Sequence, residues 1–154
     1  MITWITENVA IGEYADAVNA GALMIENIKC ILSLRGGDTE SDDSFENLRC
    51  KQCGIDYYRV PIMEYDKVEV TKIQLRTAAY MLEQLTEKYK RILVHCTAGI
   101  DRAPFVVAYW IGKYSGGKDV ENMIKDYDLR FWITRAYEFI KGKRPQVIEH
   151  MEWV

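Results

Sequence analysis

Residues 29–34, "KCILSL", and 91–96, "RILVHC", carry apolar side chains at consecutive positions rather than at every second one. A strand with one face in water alternates apolar and polar residues; a strand covered on both faces does not. Two such runs call for a sheet with an apolar layer on each side. The intervening segments can supply both the layers and further strands. "ITWIT" and "VAIG" read as two short strands joined by a turn at Glu7-Asn8, and "IDYYRVPI" as another strand. "YADAVNAGALMIEN" has apolar residues at helical spacing. "SFENLRCKQCG" reads as a short helix closed by Gly54. The clearest helix runs from Thr71 to about Lys90. Thr71 and Gln74 form a capping box there, and Ile73, Leu75, Ala78, Met81, Leu82 and Leu85 make its apolar face. "RAPFVVAYWIGKYSGG" starts another helix, with Pro104 tolerated in its first turn and Gly116-Gly117 ending it. "KDVENMIKDY" and "ITRAYEFIKG" follow as two more. The expected fold is α/β, a mostly parallel central sheet of about five strands flanked by helices on both faces.

Length and charge narrow the function. The 154 residues suit one domain over 1–154, and no repeat or Pro/Gly linker divides them. A net charge of −3 gives no global field for nucleic acid or anionic membrane, so any attraction for phosphate must be local. The apolar run "PFVVAYWI" is too short to span a bilayer, and "MITWITENVA" lacks the basic and apolar regions of a signal peptide. Four cysteines, Cys30, Cys50, Cys53 and Cys96, fall short of a disulfide scaffold. A reducing cytoplasm is the expected location.

In a parallel sheet, ligands bind at the carboxyl ends of the strands. The loop after "RILVHC" and the loop after "IDYYRVPI" should therefore open at one edge, with residues 62–70 facing 96–102. Five residues separate Cys96 from Arg102, and five also separate Cys53 from Arg59. The spacing alone decides nothing. After Cys53 the chain runs into strand, whose N–H groups point alternately to either side. After Cys96 comes a loop with Gly99 at its middle and a helix start near Arg102. Such a turn can curl its backbone N–H groups around one anion at a helix N-terminus. Such amides should favour a thiolate at Cys96, and a thiolate is a strong nucleophile at neutral pH. Arg102 offers a planar fork for two phosphoryl oxygens. Attack on phosphorus would give a phosphocysteine that water hydrolyses. Neither a metal nor another cofactor is required, and the two His, at 95 and 150, make no ligand cluster around the motif.

"VHCTAGIDRAP" resembles the signature of the cysteine-based protein tyrosine phosphatases. The small chain, with the motif about two-thirds along, is similar to the dual-specificity phosphatases, and "HCTAG" with "RAP" to the plant glucan phosphatases. The likeness in layout extends from about residue 3 to 140. It implies Cys96 as nucleophile, Arg102 as phosphate fork, and the amides of Thr97, Ala98, Gly99, Ile100, Asp101 and Arg102 as the cradle. It implies a structural role for His95. Where many relatives have Ser or Thr after the Arg, this chain has Ala103, which bears on breakdown of the phosphoenzyme.

The resemblance also implies an acidic residue about thirty positions before the Cys, seven before the cap of the following helix. Counting back from Thr71 gives Glu64, and Asp66 lies two positions later. Asp66 is favoured, with Glu64 beside it. Asp101 is a third candidate, since inositide phosphatases of the myotubularin and Sac types resemble this loop in having Asp before the Arg. The expected substrate is a phosphorylated protein. A phosphorylated glucan, an inositol phosphate and a catalytically dead phosphate-binding module are the alternatives. Cys50 and Cys53 read as two incidental thiols. Tyr65 could stack on a phosphotyrosine or a sugar ring. Tyr127, Phe131, Trp132 and Tyr137 could add a carbohydrate platform but, at helical spacing, fit a core better, and Arg130 and Arg135 fit exposed ion pairs better than a second anion site.

Overall fold

The computed structural model describes residues 1–36, 42–62, 68–97 and 102–114. In chain order the elements are β1 (Thr3–Trp4), β2 (Val9–Gly12), α1 (Tyr14–Ala17), α2 (Ala20–Ile25), β3 (Cys30–Ser33), α3 (Ser44–Cys53), β4 (Asp56–Arg59), α4 (Val68–Lys88), β5 (Ile92–His95) and α5 (Arg102–Tyr114). The strands form one sheet in the order β1-β2-β5-β3-β4. Only β1 is antiparallel to its neighbour; β2, β5, β3 and β4 are parallel.

The two apolar runs are the inner strands β3 and β5, both buried along their whole length. Their side chains divide between two cores with a period of two. Cys30, Leu32, Leu34, Ile92, Val94 and Cys96 face one way, with Leu75, Ala78 and Leu82 of α4 and Phe105, Val106 and Tyr109 of α5. Ile31 and Leu93 face the other, with Ala17 of α1, Leu23 of α2 and Cys50 of α3. Each buried aliphatic side chain stabilises the fold by about 1.5–3 kcal/mol, which is why the most apolar segments take the central places.

Local chemistry sets the ends. Thr6 Oγ1 accepts from the backbone N–H of Asn8 and Val9 and closes the β1–β2 turn. The helical pattern of residues 14–27 is cut in two because Asn19 caps α2, its side chain accepting from Ala22 N at 3.1 Å. Gly54 ends α3 at φ 69°, a left-handed value that glycine adopts without strain. β4 is an edge strand, half exposed.

Two expectations about α4 need correction. The helix begins at Val68, so Thr71 lies inside it and is not its cap. Ile73 is 60% exposed instead of in the core, since α4 rests on the sheet through Leu75, Ala78, Leu82 and Leu85.

Candidate active site

Gly12, Ser33, Arg59 and His95 are level in the sheet, so four parallel strands finish at one edge. The segments leaving that edge are laced together. Leu34 N donates to His95 O at 2.8 Å, and Ile62 N donates to Leu34 O at 3.0 Å. Gly36 lets the chain after β3 pass close to the chain after β4: a Cβ there would stand 2.7 Å from Pro61 Cβ. Tyr14 N, at the start of α1, donates to Thr97 O at 3.0 Å.

Cys96 follows β5 directly and is 1% exposed, on the α4/α5 side of the sheet. Arg102 is the first residue of α5 and only 4% exposed. Its Nη1 donates to Ile62 O at 3.0 Å and reaches Leu34 O at 3.5 Å. A charged group this deep needs polar partners. Arg102 finds some of them in the loops after β3 and β4, which ties the residue to the edge where Cys96 emerges.

The residue before Cys96 faces the opposite way, toward α3. There Ser33, His95 and Arg59 stand side by side on adjacent strands. His95 is fully buried; its Nδ1 lies 3.1 Å from Cys96 O, and its Nε2 lies 3.0 Å from Glu46 Oε2. Glu46, in the first turn of α3, is 1% exposed and pairs through Oε1 with Arg35 Nη1. Burial raises the Glu46 pKa, but His95, Arg35 and Ser33 together outweigh it and hold the carboxyl down to about 2. Arg35 also donates from Nε to Thr97 Oγ1 at 3.4 Å, and its guanidinium lies 4.2 Å from the centre of the Tyr14 ring. The Tyr57 hydroxyl donates to Asp43 Oδ2 at 3.0 Å and lies 3.3 Å from Glu46 Oε2. Arg59 Nε donates to Arg35 O at 2.9 Å, and Arg59 Nη1 stands 3.8 Å from Asp43 Oδ2.

Of the residues singled out in the sequence, Cys96, Thr97 and Arg102 come to this edge. Ala98, Gly99, Ile100 and Asp101 lie outside the described residues, as do Glu64, Tyr65 and Asp66 and the aromatic and arginine candidates beyond Tyr114. With Thr71 inside α4, the count that led to Glu64 loses its anchor. Cys53 ends α3 and Arg59 ends β4, so a whole strand separates that pair. Burial pushes the Cys50 thiol up to about 12, leaving it protonated at neutral pH. Among the described residues no group of three or more His, Cys, Asp or Glu could hold a metal ion, and no helix is long and apolar enough to cross a membrane. Sequence reasoning passed over Ser33, Arg35, Glu46 and Tyr14. Only a charged residue directly after an apolar strand, at Arg35, could have drawn attention to them.

A family model for the dual specificity phosphatase catalytic domain matches residues 9–154, nearly the whole chain. The chain belongs to this family. It is therefore a cysteine-based dual-specificity phosphatase, and its substrates are phosphorylated. Solved structures share the fold. The PTP-2 phosphatase of Cydia pomonella is 20% identical, with a TM-score of 0.58, covering 94% of this chain and 80% of that one. The Yvh1 phosphatase domain from Chaetomium thermophilum is 17% identical, with a TM-score of 0.61, covering 97% and 94%. In this phosphatase Cys96 directly follows β5 and Arg102 opens α5, both at the carboxyl edge of the sheet.

Proposed function

We propose that this phosphatase hydrolyses phosphomonoesters on protein side chains through Cys96. The observation that carries the reading is the arrangement of Cys96 and Arg102. A thiol emerges from the central strand, and a buried arginine opens the next helix. The arginine is anchored to carbonyls of the two neighbouring loops.

The Cys96 thiolate attacks phosphorus, the S–P bond forms, and the ester P–O bond breaks. The leaving oxygen takes a proton from a carboxylic acid. Water then attacks phosphorus and gives a proton back to the carboxylate, the S–P bond breaks, and the thiolate and inorganic phosphate are released. Amides of Thr97, Ala98, Gly99, Ile100, Asp101 and Arg102 hold the equatorial oxygens, and the Arg102 fork stabilises charge on them as the bonds change. The acid comes from residues 63–67, with Asp66 ahead of Glu64. The support is that Ile62, just before them, is bonded to Arg102. Asp101 is the remaining candidate. A nucleophilic thiol has to stay reduced, which suits the cytoplasm.

The test is turnover of a phosphopeptide, an inositol phosphate and phosphorylated glucan by wild type and Cys96→Ser. Cys96-dependent release from the phosphopeptide supports the reading. Release confined to glucan or inositol phosphate transfers the substrate class, and release that survives Cys96→Ser removes the mechanism. Asp66→Asn and Glu64→Gln then separate the acids. The true acid costs far more with an alkyl phosphate, a poor leaving group, than with nitrophenyl phosphate.

A further inference from the structure

The ion pair between Arg35 and Glu46 touches the residue on each side of Cys96. Glu46 Oε2 lies 3.0 Å from His95 Nε2, and Arg35 Nε reaches Thr97 Oγ1 at 3.4 Å. We infer that Arg35 and Glu46 are positioning residues for the phosphatase reaction, acting through His95 and Thr97 to hold the backbone that carries the Cys96 thiol. The inference rests on Cys96 being the nucleophile.

Both charges are well buried: the Arg35 side chain is 13% exposed and that of Glu46 1%. An ion pair taken out of water gives up part of its attraction to desolvation, and apolar side chains of similar size can stabilise a fold as well. The pair nevertheless occupies the layer between α3 and the sheet, behind the strand end that bears Cys96. Its partners are arranged for direction. Glu46 meets His95, whose other ring nitrogen lies 3.1 Å from Cys96 O. Arg35 is fixed on one side by the Tyr14 ring, and Tyr14 N holds Thr97 O. Tyr14, Arg35 and Thr97 thus form a closed triangle with two separate contacts on Thr97, one to its carbonyl and one to its hydroxyl. A guanidinium serves both ends because its rigid fork sends Nη1 to Glu46 and Nε to Thr97. An ammonium has no second donor in that geometry.

The test compares Arg35→Lys, Thr97→Val, Thr97→Ser and the Arg35→Lys/Thr97→Val double variant with wild type on nitrophenyl phosphate, recording kcat, KM and Tm, with Cys96→Ser as control. Arg35→Lys keeps the charge toward Glu46 and loses the second donor. Thr97→Val keeps the shape and loses the acceptor. Each should lower kcat about tenfold with KM nearly unchanged, because misplacing a reacting group by a fraction of an ångström has effects of that order. Thr97→Ser should recover most of the rate, and the double variant should be no slower than either single one. Wild-type kcat in Thr97→Val, or losses that multiply in the double variant, would overturn the inference. If Arg35→Lys does not fold, the Thr97→Val and Thr97→Ser pair decides by itself. Activity surviving in Cys96→Ser would instead sink the underlying mechanism, a result the Thr97 variants cannot mimic.

Discussion

Cys53 and Arg59 are as far apart in the chain as Cys96 and Arg102, yet the two pairs lead different lives. Cys53 closes a helix, a left-handed glycine turns the chain, and Arg59 ends an edge strand with its side chain on Arg35 O and Asp43. Cys96 directly follows the central strand, and Arg102 opens a helix whose first residues are all buried. What separates them is the order of elements between Cys and Arg. A helix–turn–strand sequence carries the two side chains away from each other. A strand followed closely by a helix keeps both side chains at the same sheet edge.

Exchanging the two cysteines in mutation should break the comparison most sharply. Cys96→Ser should lower kcat on nitrophenyl phosphate by at least about 10³-fold, as loss of a nucleophile does. Cys53→Ser should stay within about twofold, since Cys53 is half-buried at the far end of α3, away from that sheet edge. The arginines come next. Arg102→Lys removes the planar fork and should cost about 10²-fold or more in kcat, whereas Arg59→Lys should alter Tm more than turnover.

Glu46 joins the two stretches, lying against Tyr57 in one and His95 in the other. Folding lowers its pKa from 4.5 to about 2. Between these values the unfolded chain binds more protons than the folded one, so stability rises with pH there and is lost on acidification through the same window. The contribution at neutral pH is on the order of 3 kcal/mol. Denaturant unfolding followed between pH 5 and pH 2 should show this loss in wild type, with a flatter profile in Glu46→Gln. The smallest effect is expected at Ala103, which is buried next to Arg102 in the first turn of α5. Ala103→Ser supplies the hydroxyl that many relatives have, and should raise turnover by about two- to threefold where phosphoenzyme breakdown limits the rate. Burst kinetics would detect this as a smaller burst.

How much of this was legible in the sequence depended on whether a signal was local. The uninterrupted apolar runs at 29–34 and 91–96 identified the inner strands, because burial on both faces leaves no polar alternation. Gly54 marked the end of α3 for a similarly local reason. The start of α4 was misread. Thr71 and Gln74 have capping chemistry, but Val68, Glu69 and Val70 continue the helix ahead of them, and a short side-chain pattern does not reveal which turn comes first. Ile73 was misassigned because an apolar residue near a helix face boundary can point either way. The places of Cys96 and Arg102, after a buried strand and at a helix start, were readable from the segments around them. The Arg35–Glu46 pair was not, because the two residues are joined only when α3 folds back over β3, and a buried charge looks like a surface charge until its partner is known.

The most direct measurement is to trap the intermediate. Asp66→Asn and Glu64→Gln enzyme, mixed with nitrophenyl phosphate and quenched in acid within the first turnover, would be digested and its cysteine peptides weighed. One phosphoryl group on the peptide containing Cys96, and none on the peptide containing Cys53, is the predicted result. Phosphate release through a full turnover with Cys96 unmodified at every quench time, or label on Cys53, would contradict it.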